Sequence, residues 1–456
     1  MSDSVVRTVS GNVMRAAGAA FEEIPPQLRG AAIEPADPAY RNFRSTFFRS
    51  GSPGLVLRPA DKEQVAAAVV YAREHVHLPI SVRSGGHGIS GRSTNHGGIV
   101  IDLSRMAGIE ITDVAARKVR VQPGATWQGV SEVLAPRGWT IPSGDFGGVG
   151  VGGLATAGGV GLLARDFGLT IDHLRSVEMV LADGSIVRAD EVENSELFWA
   201  VRGAGANFGV VTSFDFEART VGDLGYAQVL FDAGDTAGFL ERWGRVIEAS
   251  PRDLTCFLMM SPGSRGRPTL AMARAVVNSS DKATIGARLA PLLEIAPVLQ
   301  QRVEIVPSAS IFEGGAGGPQ FGQGEPASRS GSLRHITKEF ADGAARLLRS
   351  GATSLVKVMS MGGAISDVAP DGTAFASRTA NFEFIAAGSD QEGLNTSWGI
   401  LERHFEGEYI CFDADDRPER SLRAYPPQTF ARLRHLKRSL DPANLFRDNV
   451  NVTPQA

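Results

Sequence analysis

The chain has 456 residues, of which 43% are hydrophobic and 21% are charged, and its formal net charge is −4. One hydrophobic core rarely serves so long a chain, so we expect two or more domains. The slightly negative charge argues against a protein that binds nucleic acid or an anionic membrane surface, and no apolar run is long enough to span a bilayer. We therefore expect small molecules as partners.

The start of the chain and its cysteine content indicate the cellular compartment in which the protein is expected. The first residues lack the continuous apolar segment with a basic flank that is typical of a signal peptide. Only two cysteines occur, Cys256 and Cys411, which is too few for a disulfide framework. We expect buried, reduced thiols in a cytoplasmic protein, and no residue cluster predicts a metal site.

The first part of the chain predicts alternating helices and strands. Residues 1–50 are typical of a charged helical lead-in that prolines interrupt. After Pro53 the sequence LVLRPADKEQVAAAVVYAREHVHLPISVRSGG predicts a strand, a helix and a strand, with Asp61 at the helix N-cap. The predicted apolar face of this helix consists of Val65, Val69, Ala72 and Val76.

Two later stretches alternate between apolar and polar residues. Residues 109–122 and 174–187 each predict a hairpin, and the second contains the turn signal Asp183-Gly184. Between them, residues 127–137 predict another helix.

A loop rich in glycine and serine lies between two short β-branched runs in residues 79–102, PISVRSGGHGISGRSTNHGGIVID. Successive small residues leave several backbone N–H groups free to converge on an anion such as a phosphate. The loop also holds the imidazole of His87. A tight glycine turn with a solvated histidine is the alternative.

A second glycine-rich segment spans residues 138–169, GWTIPSGDFGGVGVGGLATAGGVGLLARDFGL. Residues 148–153 satisfy G-x-G-x-x-G, so a nicotinamide-binding Rossmann turn is one interpretation. That motif requires a strand directly before it and a long helix directly after it. Pro142 stands before the motif, and Gly158, Gly159 and Gly161 would weaken a helix after it, which argues against this interpretation.

A third glycine-rich turn, followed by a predicted strand, occurs in LFWAVRGAGANFGVVTSFDF, residues 197–216. With this run, RSGGHGISGRS and VGVGGLATAGGVG resemble the flavin-contacting loops of the berberine bridge enzyme-like family of FAD-linked oxidases. The C-terminal YPPQTFARLRHLKRSLDPANLFRDNVNVTP resembles that family's terminal module. The resemblance covers residues 33–454 and is strongest to the bacterial 6-hydroxynicotine oxidases.

The resemblance implies an α+β fold. Residues 1–219 would form a PCMH-type FAD-binding domain of two α/β subdomains, with its core at about 50–219. Residues 220–418 would form a substrate-binding cap, an antiparallel sheet covered on one side by helices, and residues 419–456 would return to the FAD domain. Within 220–418 the residue pattern itself predicts strands that are followed by helices without strict βαβ alternation. The predicted helices are 236–249, 281–292 and 338–350, the predicted strands are 254–260, 269–277, 355–361, 380–386 and 409–412, and 306–332 is predicted as loop.

The resemblance also implies the cofactor and its attachment. In the family, the histidine of the R-S-G-G-H run, here His87, is bonded through a ring nitrogen to the 8α-methyl carbon of FAD. Doubly linked members have a cysteine where this chain has Phe146, so we expect a single linkage. The residues expected to contact FAD are Arg83, Ser84, Gly85, Gly86, His87, Gly88, Gly91, Ser93, Val149, Gly152, Gly153, Ala157, Gly158, Gly161, Asn207, Gly209, Val211, Asn449 and Asn451.

Hydride removal from an alcohol or amine carbon needs a base for the heteroatom proton. Alternation in LVKVMSM places Lys357 and Met359 on one face of a strand. Lys357 matches a lysine near the flavin in the 6-hydroxynicotine oxidases, but the acid that they carry two residues later is replaced by Met359, which puts an amine substrate in doubt. Tyr425 and Glu383 are the other candidate bases, and each of the three could instead be a structural residue.

The electron acceptor is expected to be molecular oxygen. In the resembling family, the position of Val149 acts as an oxygen gate, and valine there accompanies fast reaction with oxygen. Two alternatives stay open: a flavin dehydrogenase that uses another acceptor, and a flavin-binding protein without redox activity. The sequence does not name the substrate, and the protein would be a monomer or a homodimer.

Overall fold

The computed structural model describes residues 24–263, 268–314, 320–415 and 417–455. Its helices are α1 Pro26–Arg29, α2 Lys62–Glu74, α3 Trp127–Leu134, α4 Val151–Ala157, α5 Ala164–Phe167, α6 Ser195–Val201, α7 Thr236–Ala249, α8 Lys282–Leu293, α9 Lys338–Arg349, α10 Gln391–Trp398, α11 Pro418–Ala424 and α12 Pro427–Leu440. Its strands are β1 Ala32–Ile33, β2 Leu55–Leu57, β3 Ile80–Arg83, β4 Ile99–Asp102, β5 Ile109–Asp113, β6 Lys118–Val121, β7 Trp139–Thr140, β8 Leu174–Val180, β9 Ile186–Asp190, β10 Val210–Glu217, β11 Arg219–Thr220, β12 Leu224–Asp232, β13 Leu254–Ser261, β14 Leu270–Val277, β15 Val298–Val306, β16 Ala327–Leu333, β17 Leu355–Ser360 and β18 Phe382–Gly388. Of the predicted helical lead-in, the first 23 residues lie outside the described part, and the remainder contains the short α1, the two-residue strand β1 and a 3-10 turn at Tyr40–Asn42.

The first sheet has the strand order β1-β2-β4-β3, in which β2, β4 and β3 run parallel. Helix α2 connects β2 to β3, and the side chain of Asp61 accepts a hydrogen bond from the backbone N–H of Gln64, so the predicted N-cap is confirmed. Val65, Val69 and Ala72 are buried as expected. Val76 is exposed, because α2 ends at Glu74 and its apolar face does not continue.

The second sheet has the order β5-β6-β10-β8-β9 and is antiparallel in every pairing. Strands β5 and β6 form the first predicted hairpin, and β8 and β9 form the second, with Gly184 at φ +88° in its turn. The two sheets with α2, α3 and α6 are the two predicted α/β units.

The third sheet has seven strands in the order β15-β12-β14-β13-β17-β18-β16, all antiparallel. One face packs on α7, α8, α9 and α10 around a cluster of large buried side chains. The cluster includes Phe231, Trp243, Phe340, Phe384 and Trp398. The predicted antiparallel sheet under helices, and with it the α+β class, is confirmed.

Two predictions in this sheet are wrong. Part of the predicted loop 306–332 is strand β16, and the predicted strand 409–412 is a turn. β16 reads ASRSGSL, small polar residues that do not favour strands, and it is stabilised instead by buried polar contacts. Ser330 and Ser332 donate hydrogen bonds to Glu383 on β18, and Arg329 lies 3.6 Å from the carboxylate of Asp413.

The C-terminal segment lies against the third glycine-rich turn. The Nζ of Lys437 on α12 is fully buried and donates hydrogen bonds to the carbonyls of Asn207 and Phe446. The side chain of Asn207 donates to the carbonyl of Val450 and accepts from the N–H of Val452. The chain end is thereby held beside the second sheet.

Candidate active site

A cavity of about 440 Å³ lies where the three glycine-rich segments and the C-terminal segment meet the seven-stranded sheet. This volume is within the range of small-molecule and cofactor pockets. Its lining is mostly apolar. The glycine-rich segments and the C-terminal segment contribute Ser84, Gly85, Gly86, His87, Gly88, Ser93, Val149, Gly152, Gly153, Ala157, Gly209, Val211 and Asn449.

The first two glycine-rich loops touch each other through their backbones. A Cβ on Gly85 would lie 2.3 Å from the nitrogen of Gly150, and a Cβ on Gly150 would lie 2.1 Å from the nitrogen of Gly85. Ser84 Oγ accepts a hydrogen bond from the N–H of Gly152 at 3.2 Å and donates one to the carbonyl of Pro123. Glycine is therefore required here for the close approach of two chain segments at the cavity wall.

The Rossmann interpretation is wrong for the second loop. The helix that follows the motif, α4, is only seven residues long and ends at Gly158, whose φ is +145°. Residues 141–149 before it form no strand, so the strand–turn–long helix arrangement of that motif is absent from this described segment.

His87 lies among aromatic side chains at one wall of the cavity. Its ring stacks on Phe47 with a centroid distance of 4.7 Å and lies 5.3 Å from the ring of Phe146. Burial lowers the pKa of His87 to about 4. The imidazole is therefore neutral at pH 7 and keeps a ring nitrogen with a free lone pair.

The seven-stranded sheet contributes Lys357, whose Nζ donates a hydrogen bond to Oδ2 of Asp145 at 2.7 Å. Arg274 donates to the same oxygen at 3.2 Å and also lies 3.1 Å from Glu313. Burial alone would raise the pKa of Asp145, but the charges of Lys357 and Arg274 outweigh it and hold that pKa below its usual value. Asp145 is thus an ionised partner of Lys357 at the cavity.

Sequence analysis missed the roles of Asp145, Arg274 and Glu313. Asp145 immediately precedes Phe146, the position at which doubly linked members of the resembling family have a cysteine. An acidic residue in this loop could therefore have been recognised from the sequence as a candidate site residue. The backbone of Glu313 donates to the carbonyl of Asp145 and accepts from Gly147, which fixes the loop that presents the carboxylate.

Two of the candidate catalytic residues, Lys357 and Val149, line the cavity, whereas Glu383 and Tyr425 are buried outside its lining. Glu383 accepts hydrogen bonds from Ser330, Ser332 and the N–H of Tyr409, and burial raises its pKa to about 7. Tyr409 itself lines the cavity, so Glu383 lies behind that wall.

Tyr425 is also fully buried, and its hydroxyl makes no hydrogen bond within the described part of the chain. Burial raises its pKa, while the charge of Arg92, which lines the cavity, partly opposes this. Tyr425 is thus close to the site without forming its wall.

Several residues expected to contact FAD have structural contacts instead of lining the cavity. Arg83 is buried in an ion pair with Asp102, and Asn207 holds the C-terminal segment. A Cβ on Gly161 would lie 1.5 Å from the carbonyl of Ser143, so this glycine is required for packing. The other expected residues outside the lining are Gly91, Gly158 and Asn451.

The residues around the cavity fit a flavin dinucleotide. The backbone of the glycine-rich loops offers N–H groups for a diphosphate, and the apolar walls suit an aromatic ring system. Asn449 lines the cavity with a buried side-chain oxygen that has no hydrogen-bond partner in the described residues. Such a buried, unpaired oxygen is costly unless a bound group donates to it.

Comparison with known proteins agrees with this fit. Residues 53–190 match a protein family described as an FAD-binding domain. The chain is 28% identical to the FAD-linked oxidoreductase YgaK of Bacillus subtilis, over 94% of this chain and 98% of the relative. It is 38% identical to (R)-6-hydroxynicotine oxidase of Paenarthrobacter nicotinovorans over 42% of each chain.

Solved structures share the whole fold. The BBE-like 1 protein of Physcomitrella patens superposes with a TM-score of 0.83 and 20% identity, over 96% of this chain and 98% of that one. Glucooligosaccharide oxidase from Acremonium strictum, which carries a 6-S-cysteinyl, 8α-N1-histidyl FAD, superposes with a TM-score of 0.80 and 20% identity, over 97% of this chain and 99% of that one. None of the helices in the described ranges has the length and apolar character to cross a bilayer. Residues 53–190 thus match an FAD-binding domain, and the chain is similar over nearly its whole length to proteins named FAD-linked oxidoreductases.

Proposed function

We propose that this protein is an FAD-dependent oxidase of a small organic substrate, with the cofactor attached through His87 alone and reoxidised by molecular oxygen to give hydrogen peroxide. The observation that carries the proposal is the convergence of His87, Val149 and the Lys357–Asp145 pair on one cavity. When bound, FAD supplies the acceptor for the hydride and passes the electrons to oxygen.

Attachment through His87 is supported by the state of its imidazole. A ring nitrogen must carry a free lone pair to form a bond to carbon, and the low pKa of His87 provides that form at neutral pH. The structural neighbour with a doubly linked FAD has a cysteinyl and a histidyl bond. Here Phe146 has no atom able to form the sulfur bond, which supports a single linkage.

The hydrogen bond between Lys357 and Asp145 at the cavity supports a role of this pair in binding the substrate and taking up its proton. The ammonium of Lys357 donates hydrogen bonds and the carboxylate of Asp145 accepts them. Both groups can therefore orient a substrate hydroxyl or amine at this wall of the cavity. Lys357 also lies 5.3 Å from the centre of the Phe257 ring and 5.6 Å from that of Phe412, which limits its movement. Asp145 supplies, from a distant loop, the acidic partner that the position of Met359 lacks.

A substrate screen on the purified yellow protein tests the proposal. Under anaerobic conditions a substrate should bleach the oxidised-flavin absorbance, and admission of oxygen should restore it with one hydrogen peroxide formed per turnover. Bleaching followed by slow recovery in oxygen, but fast recovery with an artificial acceptor, would indicate a dehydrogenase. A protein that purifies without flavin would contradict the proposal outright.

A further inference from the structure

The outer edge of the seven-stranded sheet is a long strand with unpaired backbone groups. Strand β15 has nine residues and pairs through one side with β12, and no strand in the described part of the chain pairs with its other side. Its apolar side chains are unusually exposed, with Leu299 at 53%, Val303 at 46% and Ile305 at 39%. Proteins normally protect such edges, because they act as templates for pairing with another chain.

The two faces of β15 differ in character. Ile305 lies opposite Gly225 of β12, on the face where Ile285 of α8 covers that glycine, and Val303 lies on the same face. Arg302 and Glu304 lie on the other face and form an ion pair at 2.8 Å. The strand therefore presents an apolar row beside α8 and a charged pair on the reverse.

We propose that a second copy of this chain pairs with β15 in antiparallel fashion across a two-fold axis, joining the two caps into one fourteen-stranded sheet; the count follows from two sheets of seven strands. An isologous interface of this kind is closed, because the same strand serves both copies. The apolar rows of the two copies then meet between the two α8 helices.

Charge selects one register for this pairing. If Val303 lies opposite its own copy, each Arg302 faces a Glu304 of the other chain, and Gln301 faces Ile305. A shift that centres the axis on Arg302 or on Glu304 would place two like charges directly opposite, which is destabilising. The self-complementary Arg302–Glu304 pair therefore fits a second copy of the same strand.

Disulfide cross-linking tests both the partner and the register. Opposite Cα atoms in antiparallel strands lie about 4.5–5.5 Å apart, which a disulfide can bridge. Val303→Cys should therefore cross-link two chains under mild oxidation, giving a doubled mass on a non-reducing gel. Gln301→Cys is the matched control, since its copies would lie about 13 Å apart along the strands, at about 3.3 Å per residue. Failure of Val303→Cys to cross-link, or equal cross-linking of both variants, would overturn the proposal.

Sedimentation velocity of the flavin-loaded protein gives an independent test. The wild type should be a dimer at micromolar concentration, Glu304→Arg should be a monomer with unchanged flavin content, and Arg302→Glu combined with Glu304→Arg should dimerise again. A monomeric wild type would overturn the proposal, and so would a dimer that the single reversal leaves intact. A wild-type monomer that dimerises only after removal of residues 1–23 would identify the chain's own N-terminal segment as the occupant of β15.

Discussion

Lys357 and Asp145 are separated by 212 positions in the chain, yet their side chains form an ion pair that is largely buried at the cavity. Lys357 comes from a strand of the seven-stranded sheet and Asp145 from the second glycine-rich loop. Breaking a buried pair by removing one partner leaves an uncompensated charge, which is strongly unfavourable. The pair therefore connects the two parts of the molecule at the place where the substrate is expected.

Asp145→Asn keeps the size of the side chain but removes the carboxylate that can accept the substrate proton, and should slow anaerobic flavin reduction by about 10²- to 10⁴-fold, the usual cost of losing a general base. Lys357→Met removes the ammonium that orients the substrate and should slow the same step, with unchanged flavin content. Lys338→Met is a suitable control, because that lysine is exposed and pairs with Asp342 on the surface of α9. If both site variants reduce the flavin at the wild-type rate, the base that accepts the substrate proton must be another residue, and Tyr425 and Glu383 are the next candidates.

Val149 lines the cavity beside the second glycine-rich loop, and its short side chain is expected to leave a path for oxygen. Val149→Leu adds about one methylene group, and a tightly packed site is sensitive to a volume change of that size. Stopped-flow mixing of the reduced variant with oxygenated buffer should show slower return of the oxidised-flavin absorbance than in the wild type, while Val149→Ala should remain fast. Equal rates in all three proteins would show that Val149 does not control the access of oxygen, and would leave the proposed oxidase activity unaffected.

Helix α2 illustrates an element that its own sequence specifies. Its N-cap and three of the four residues of its predicted buried face agree with the residue pattern, and only Val76 does not. Asp61→Ala should lower the free energy of unfolding by about 1 kcal/mol, because one backbone N–H at the helix start loses its partner. Asp61→Asn should cost much less, since asparagine caps as well. Urea denaturation of both variants checks this, and an equal loss for the two would mean that the cap is not the cause.

Strand β16 illustrates the opposite case. Nothing in ASRSGSL predicts a strand, because its stabilising partners are Glu383, Asp413 and other residues far away in the chain. The glycine-rich loops and hairpins were predictable because their signals are local, in turn residues and in alternation. The Lys357–Asp145 pair and the burial of Tyr425 depend on how distant segments pack, which one sequence does not reveal.

The stability of the whole molecule should depend on pH through Glu383. Burial raises the pKa of this carboxyl from 4.5 to about 7 in the folded protein, although three hydrogen-bond donors partly oppose the shift. The folded state therefore binds the proton more tightly than the unfolded state. The resulting stabilisation is fully present below pH 4.5 and is lost as the pH rises through about 7.

Glu383→Gln removes this titration because the amide does not ionise. Between pH 4.5 and pH 8 the wild type should lose stability relative to the variant, by on the order of 3 kcal/mol. Urea denaturation curves of both proteins at several pH values provide the measurement. A difference between the two proteins that stays constant with pH would show that Glu383 does not titrate in this range.

Covalent attachment of FAD through His87 is the main feature of the proposed function, because it depends on the cavity and on the neutral imidazole and because the proposed activity requires the bound cofactor. The most direct test is the intact mass of the protein after acid unfolding, which removes cofactor that is held only by the fold. The wild type should retain the added mass of one FAD, His87→Ala should lose it, and His96→Ala, an exposed histidine of the same loop, should retain it. A wild-type protein at the mass of the bare chain, or a His87→Ala variant that still carries FAD, would contradict the account.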